Sequence, residues 1–173
     1  MSINVKDAQF GAIGNGQADD TIAIQRAIDY AKALTSAGGA YRATVYFPAG
    51  FYYITSPINI TNTNGIWLTG DGGRYINSSI VGNTRGAMFD FSGSNICGCE
   101  GISFVSPVGF GNTRSIIGTL FALTSNGGLN CGIRNCYFQL EDYATANGGF
   151  GTIGVLNIRS EEFFIHECLI RAN

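Results

Sequence analysis

The sequence predicts an all-β solenoid preceded by one N-terminal helix. Three observations predict it. Short apolar patterns recur along residues 66–170 at offsets of about 31 to 36 residues, inside the window that marks solenoid repeats. Gly or Asn, as at Gly101 and Asn135, stands at corners where the pattern has to turn, as permissive corners require. Only one stretch, near the N-terminus, carries apolar residues at intervals of three and four.

That stretch comes first in the chain. Ile22, Ile24, Ala27, Ile28, Ala31 and Leu34 alternate with Gln25, Arg26, Asp29 and Lys32, which is the pattern of an amphipathic helix over roughly residues 20 to 36. Asp20 or Thr21 is expected to accept from the free N–H groups of the first turn, with Asp19 at the positive end of the dipole and Gly38-Gly39 ending the helix. The glycines before it are spaced G-x-x-G-x-G, not G-x-G-x-x-G, and no G-K-[ST] follows. Asp19 and Asp20 would repel a phosphate there, so the segment reads as turn and cap and not as a nucleotide cradle.

Tyr41 to Gly50 reads as the first strand with a Pro-Gly turn, and Tyr52, Ile54, Ile58 and Ile60 continue the alternation. Three strand types then follow. The first is Phe89-x-Phe91, Phe121-x-Leu123 and Leu156-x-Ile158. The second is Cys99-Glu100-Gly101, Ile133-Arg134-Asn135 and Ile165-His166-Glu167, with Gly101 and Asn135 at a sharp corner. The third is Ile66-Trp67-Leu68, Ile102-Ser103-Phe104, Cys136-Tyr137-Phe138 and Cys168-Leu169-Ile170. Three short strands per turn describe a parallel β-helix, whose coils stack at ~4.8 Å and pool their inward side chains into one column. The expected organisation is one domain, 1–173: a capping helix plus about four coils. Insertions over Val105 to Gly118 and Gln139 to Gly154 are expected to carry binding surface. The last pattern has no visible cap, which leads us to expect an N-terminal piece of a longer β-helix, or an edge covered by the remainder of that helix or by another protein.

Composition removes several classes. The net charge is −2, so no basic surface for nucleic acid is expected. No apolar run is long enough to span a membrane, and the N-terminus lacks the basic and apolar regions of a signal peptide. The five cysteines, Cys97, Cys99, Cys131, Cys136 and Cys168, are odd in number and match no zinc or redox spacing. They read as buried small hydrophobes without disulfides, suited to synthesis in a reducing cytoplasm. No cofactor and no metal are expected.

Asn4-Val5-Lys6-Asp7, Phe10-Gly11-Ala12, Gly14-Asn15-Gly16, Asp19-Asp20-Thr21, Ala23-Ile24-Gln25, Ala27-Ile28, Val45 to Gly50 and Tyr52 together resemble the N-terminal signature of the pectate-lyase-like, right-handed parallel β-helix proteins, especially the bacteriophage tailspike and polysaccharide depolymerase branch. The resemblance implies a right-handed, single-stranded β-helix in a homotrimeric virion tail appendage. It implies binding and, in the full-length protein, cleavage of a bacterial surface polysaccharide. A non-catalytic adhesive fibre segment is the alternative, and a secreted pectinase-type lyase or hydrolase a third. The polygalacturonase motifs N-T-D, a later D-D pair, G-H-G and R-I-K are missing, which implies that this chain alone does not cleave sugar.

Stacking decides which residues can meet. Outward residues one coil apart lie ~5 Å from each other and two coils apart ~10 Å, close to the carboxylate separations of the two glycosidase classes. The expected outward sets are Asp90, Ala122 and Asn157; Glu100, Arg134 and His166; and Trp67, Ser103, Tyr137 and Leu169. No acidic pair stacks. Glu100, Arg134 and His166 are the candidate catalytic residues, an acid, a cation and a base that fit proton abstraction beside a uronate carboxylate; a solvated ladder of cross-strand ion pairs is the simpler reading of the same column. Trp67, Tyr137, Glu141, Asp142 and Tyr143 are the candidate sugar-binding residues, acids mixed with aromatic faces. Asp71, between glycines, reads as a turn residue in preference to a metal ligand.

Overall fold

A computed structural model describes residues 1–36, 42–72, 77–82, 86–105, 119–126, 130–140, 153–158 and 162–172. In chain order the elements are β1 (Ser2–Asn4), β2 (Asn15–Asp19), α1 (Thr21–Ser36), β3 (Ala43–Phe47), β4 (Gly50–Ile54), β5 (Ile58–Asn59), β6 (Ile66–Gly70), β7 (Ser78–Gly82) and β8 (Gly86–Asp90). They continue as β9 (Gly98–Glu100), β10 (Ser103–Val105), β11 (Thr119–Asn126), β12 (Gly132–Arg134), β13 (Tyr137–Leu140), β14 (Ile153–Ile158), β15 (Phe164–His166) and β16 (Leu169–Ala172). From β3 onward the chain visits three sheets in rotation. Sheet A is β1-β3-β6-β9-β12-β15, sheet B is β2-β4-β7-β10-β13-β16 and sheet C is β5-β8-β11-β14. Neighbouring strands in all three are parallel. This is a coil of three parallel sheets, each round laid on the one before.

The core is the column the coils enclose. Sheet A contributes Val45, Leu68, Cys99 and Ile133 in register, and sheet B contributes Tyr52, Ile80, Phe104 and Phe138. All eight are buried. Phe104 stacks on Phe138 at 5.1 Å and meets Phe89 of sheet C edge-on at 6.0 Å. Each such side chain removed from water stabilises by about 1.5–3 kcal/mol, so the coils are held by their shared interior and not by any single coil's own contacts.

The helix occupies the expected span and buries Ile24, Ala27, Ile28, Ala31 and Thr35; Ile22, expected in the stripe, is exposed. Its start differs from expectation. The buried Asp20 carboxylate turns away from the helix and accepts from the backbone N–H groups of Ile13 (2.7 Å) and Gly14 (3.0 Å), while Asp19 Oδ1 accepts from Thr21 N at 3.0 Å and its Oδ2 from the Thr55 hydroxyl at 2.6 Å. The tight Gly11–Gly14 turn leaves donors facing inward, and Asp20 is the carboxylate placed to satisfy them. Further along, Gln25 meets both backbone groups of Asn59: Oε1 accepts from its N–H at 2.8 Å and Nε2 donates to its carbonyl at 3.1 Å. One amide side chain thereby takes the place of a strand beside β5.

Two strand assignments are corrected. Ile66-Trp67-Leu68 belongs to sheet A, with Leu68 opposite Cys99 and Thr69 opposite Glu100, and not with Tyr137 in sheet B. The turn between β6 and β7 is longer than the two-residue corner that joins β9 to β10 and β12 to β13, so the sequence offset to the next strand is hidden in that coil. In sheet C a register irregularity at Thr119/Phe121 sets Phe89 opposite Leu123, and Leu123 opposite Val155. The row holding Asp90 is therefore completed by Thr124 and Leu156, not by Ala122 and Asn157. The other alignments hold: Glu100, Arg134 and His166 are in register, as are Ser103, Tyr137 and Leu169.

Candidate functional site

The outward face of sheet A is a grid. Its middle row runs Thr44, Trp67, Gly98, Gly132, Phe164 and its next row Tyr46, Thr69, Glu100, Arg134, His166. Two residues before the middle row lies the corner that enters the sheet, where Gly65, Ile96, Asn130 and Glu162 all have φ between 53° and 77°. Immediately after the second row begins the exit corner, where Gly101, Asn135 and Glu167 are also left-handed. Gly101 and Asn135 are thus at the corner the sequence assigned to them. The left-handed region suits Gly and Asn; Ile96, β-branched at φ 55°, does not fit that pattern.

Trp67 and Phe164 are separated by two strands, yet their rings approach to 6.1 Å at 24°. They can do so because the two positions between them carry no side chain. A Cβ on Gly98 would lie 2.0 Å from the Gly132 carbonyl oxygen and 3.1 Å from Trp67; one on Gly132 would lie 2.6 Å from the Phe164 ring. The glycines form a floor, and the aromatic rings lean over it from either end. Around them Arg42, Thr44, Thr69, Ile96, Glu100, Asn130 and Arg134 complete a groove of about 680 Å³. A second depression of about 420 Å³, lined by Thr69, Asp71, Glu100 and Asn135 among others, adjoins it. Glu100 and Thr69 line both.

In the charged row Arg134 Nη2 donates to Glu100 Oε2 at 2.6 Å, both side chains being substantially exposed at 50% and 34%. The hydrogen bond and the charge of Glu100 hold the guanidinium above its ordinary range. His166 continues the row, with Nδ1 3.7 Å from Glu167 Oε2 on the exit corner. The three candidate catalytic residues therefore do share one face, with two of them paired. Trp67 joins them there, because it belongs to sheet A.

The remaining candidates separate. Tyr137 stands in sheet B opposite Ser103 and Leu169, away from the sheet A groove, and is only 5% exposed. Glu141, Asp142 and Tyr143 lie outside the described residues. Asp71 is a tie between coils: Oδ1 accepts from the Tyr46 hydroxyl at 2.5 Å and Oδ2 from Ala49 N at 2.8 Å. Among the described residues no three His, Cys, Asp or Glu side chains converge as a metal site. The five cysteines form no disulfides and four of them are buried; burial pushes the thiols of Cys97 and Cys131 upward. Phe164, Arg42, Ile96 and Asn130 were not foreseen. The signal for the trough was present as Trp-x-Thr, Gly-x-Glu, Gly-x-Arg and Phe-x-His, one outward position apart in successive coils.

A family model described as "Rhamnogalacturonase A/epimerase, pectate lyase-like" matches residues 2–120. The chain belongs to that family. It is 46% identical over 77 residues to the mannuronan C5-epimerase AlgE3 of Azotobacter vinelandii, a match covering 42% of this chain and 4% of that protein. Among solved structures it is similar to the A-module of Azotobacter vinelandii mannuronan C-5 epimerase AlgE6, with a TM-score of 0.66 at 18% identity over 98% of this chain and 50% of that one; this shows a shared fold. It is also similar to ORF18 of Geobacillus virus E2, with a TM-score of 0.53 at 28% identity over 81% of this chain and 28% of that one. The chain thus spans half or less of the length of these relatives.

Proposed function

We propose that this chain is a polysaccharide-binding segment of a viral tail appendage, the N-terminal part of a tailspike-type, right-handed β-helix capped by α1. The observation that carries the reading is the sheet A groove, in which the Trp67 and Phe164 rings lie beside the Glu100–Arg134 pair. Aromatic faces take the C–H surfaces of a sugar ring, and the polar row takes its hydroxyls and carboxylates. The likeness to a viral protein over most of the chain supports the viral setting. In this reading the appendage is a homotrimer that recognises a bacterial surface polysaccharide, with the sheet A groove as one contact and segment 141–143 as another. The groove binds and this chain alone does not turn over, because no acidic pair stacks on the sheet A face.

A second reading is favoured by the epimerase relative: an enzyme acting on a uronate polymer, with His166 taking the proton next to a carboxylate that Arg134 neutralises once Glu100 releases it. One panel separates the two. Capsular, O-antigen and polyuronate polysaccharides are titrated against the chain for binding, then assayed for new reducing ends, for unsaturated uronates and for inverted C5 centres. Binding without any product supports the tail-appendage reading. Product formation that disappears in His166→Ala supports the enzyme, and binding to nothing on the panel overturns both.

A further inference from the structure

The groove has an aliphatic residue, Ile96, on the side opposite the Glu100–Arg134 row, between Arg42 and Asn130 among its lining residues. The entry-corner column reads Gly65, Ile96, Asn130, Glu162, and all four residues are left-handed. Gly and Asn tolerate that backbone; a β-branched side chain there is an outlier of the kind that persists where another role retains it. Ile96 is half-buried and lines the groove together with Trp67, Asn130 and Phe164. The corner therefore delivers an aliphatic side chain, at a conformational cost, to one side of the row that holds the two rings and the glycine floor, while Glu100 and Arg134 stand on the other.

We propose that Ile96, with Trp67 and Phe164, forms a specificity subsite for a methyl group projecting from the sugar ring, as carried by an O-acetyl, an N-acetyl or a 6-deoxy position. This rests on the saccharide reading of the groove. An unsubstituted hydroxyl set against Ile96 and the two rings, away from Asn130 and Arg42 on the same rim, loses its water without gaining a partner from those three surfaces. A methyl group gains by the same burial, which corresponds to roughly a fourfold preference per methyl.

The test uses matched pairs of oligosaccharides: O-acetylated against alkali-treated, N-acetylglucosamine against glucose, and 6-deoxygalactose against galactose. Each pair is titrated against the chain and against Ile96→Asn, the residue type that stands one coil on at Asn130. The wild type is expected to bind the methyl-bearing member of at least one pair about fourfold more tightly, the pair identifying which group is read. Ile96→Asn is expected to bind both members equally while unfolding at higher urea, since Asn relieves the left-handed strain. Equal binding of all pairs by the wild type, or full discrimination retained in Ile96→Asn, overturns the subsite and leaves the groove reading intact. Binding to no member of any pair overturns the groove reading and the subsite with it.

Discussion

Trp67 and Phe164 stack at 6.1 Å across a floor made by Gly98 and Gly132. Two strands lie between them, so the pair reports on the alignment of four coils at once. A change in any of the four residues is read by the other three.

The floor is the most sensitive part. Gly98→Ala puts a methyl 2.0 Å from the Gly132 carbonyl oxygen, and main chain cannot yield as a flexible side chain would. We expect a loss of about 1–3 kcal/mol in urea unfolding, with the Trp67 fluorescence shifted as its ring is displaced. An Ala variant as stable as the wild type would refute the close approach.

The walls should affect binding and not folding. Trp67→Ala removes one stacking face worth about 1 kcal/mol, so polysaccharide affinity is expected to fall several-fold, measured by calorimetry alongside an unchanged far-UV circular dichroism spectrum. Phe164, 41% exposed, is expected to behave the same way. Unaltered affinity in both variants would exclude the groove.

The Glu100–Arg134 pair is solvent-exposed, so Glu100→Gln is expected to leave the thermal midpoint unchanged. Its effect should appear in ligand choice: freed from its carboxylate, Arg134 is expected to favour uronate-containing over neutral polysaccharides more strongly than in the wild type. Loss of stability without a change in that preference would make the pair a structural clasp.

Asp20 gives a pH-dependent prediction. Burial holds its carboxyl above the ordinary range, although the N–H groups of Ile13 and Gly14 oppose this. A raised folded pKa means the folded state binds more protons across that window, so the contribution of Asp20 to stability is full below the ordinary carboxylate pKa and falls as pH rises through the raised value. Asp20→Asn, with one oxygen for two donors, is expected to lose about 1–3 kcal/mol at neutral pH. The gap between wild type and variant, followed by urea midpoints, should widen as pH is lowered; a gap that narrows contradicts the assignment.

Much of the fold was legible because solenoid coils repeat their inward residues. Cys99, Ile133 and Ile165 announce one sheet, and Phe104, Phe138 and Ile170 another, with Gly101 and Asn135 marking the corner between. What misled was length. The long turn after β6 breaks the spacing that would align Leu68-Thr69-Gly70 with Cys99-Glu100-Gly101, so the sequence pattern puts Trp67 next to Ser103, in the column of Tyr137, instead of above Gly98. A residue slipped at Thr119 displaced sheet C in the same way. Of the site, the charged row and Trp67 were legible, because Glu100, Arg134, His166 and the single Trp are chemically conspicuous. The trough beside them is made of what is missing, two side chains at Gly98 and Gly132, and a hydrophobicity pattern does not register a vacancy.

The left-handed corners on both sides of sheet A have a consequence for how such a chain can change. From β9 onward a left-handed residue bounds sheet A on each side, at Ile96 and Gly101, Asn130 and Asn135, Glu162 and Glu167, which fixes the strand length in those coils. The β6 coil lacks the exit residue at Gly70 and takes its extra length in the turn to β7, and an indel outside the bounded stretches leaves the sheet A grid in step. Substitutions at the outward positions can then accumulate one coil at a time without disturbing their neighbours' spacing. A lineage that must follow a shifting surface target would thus revise its recognition face by point changes, while length variation collects where it does no harm to the reading frame of the groove.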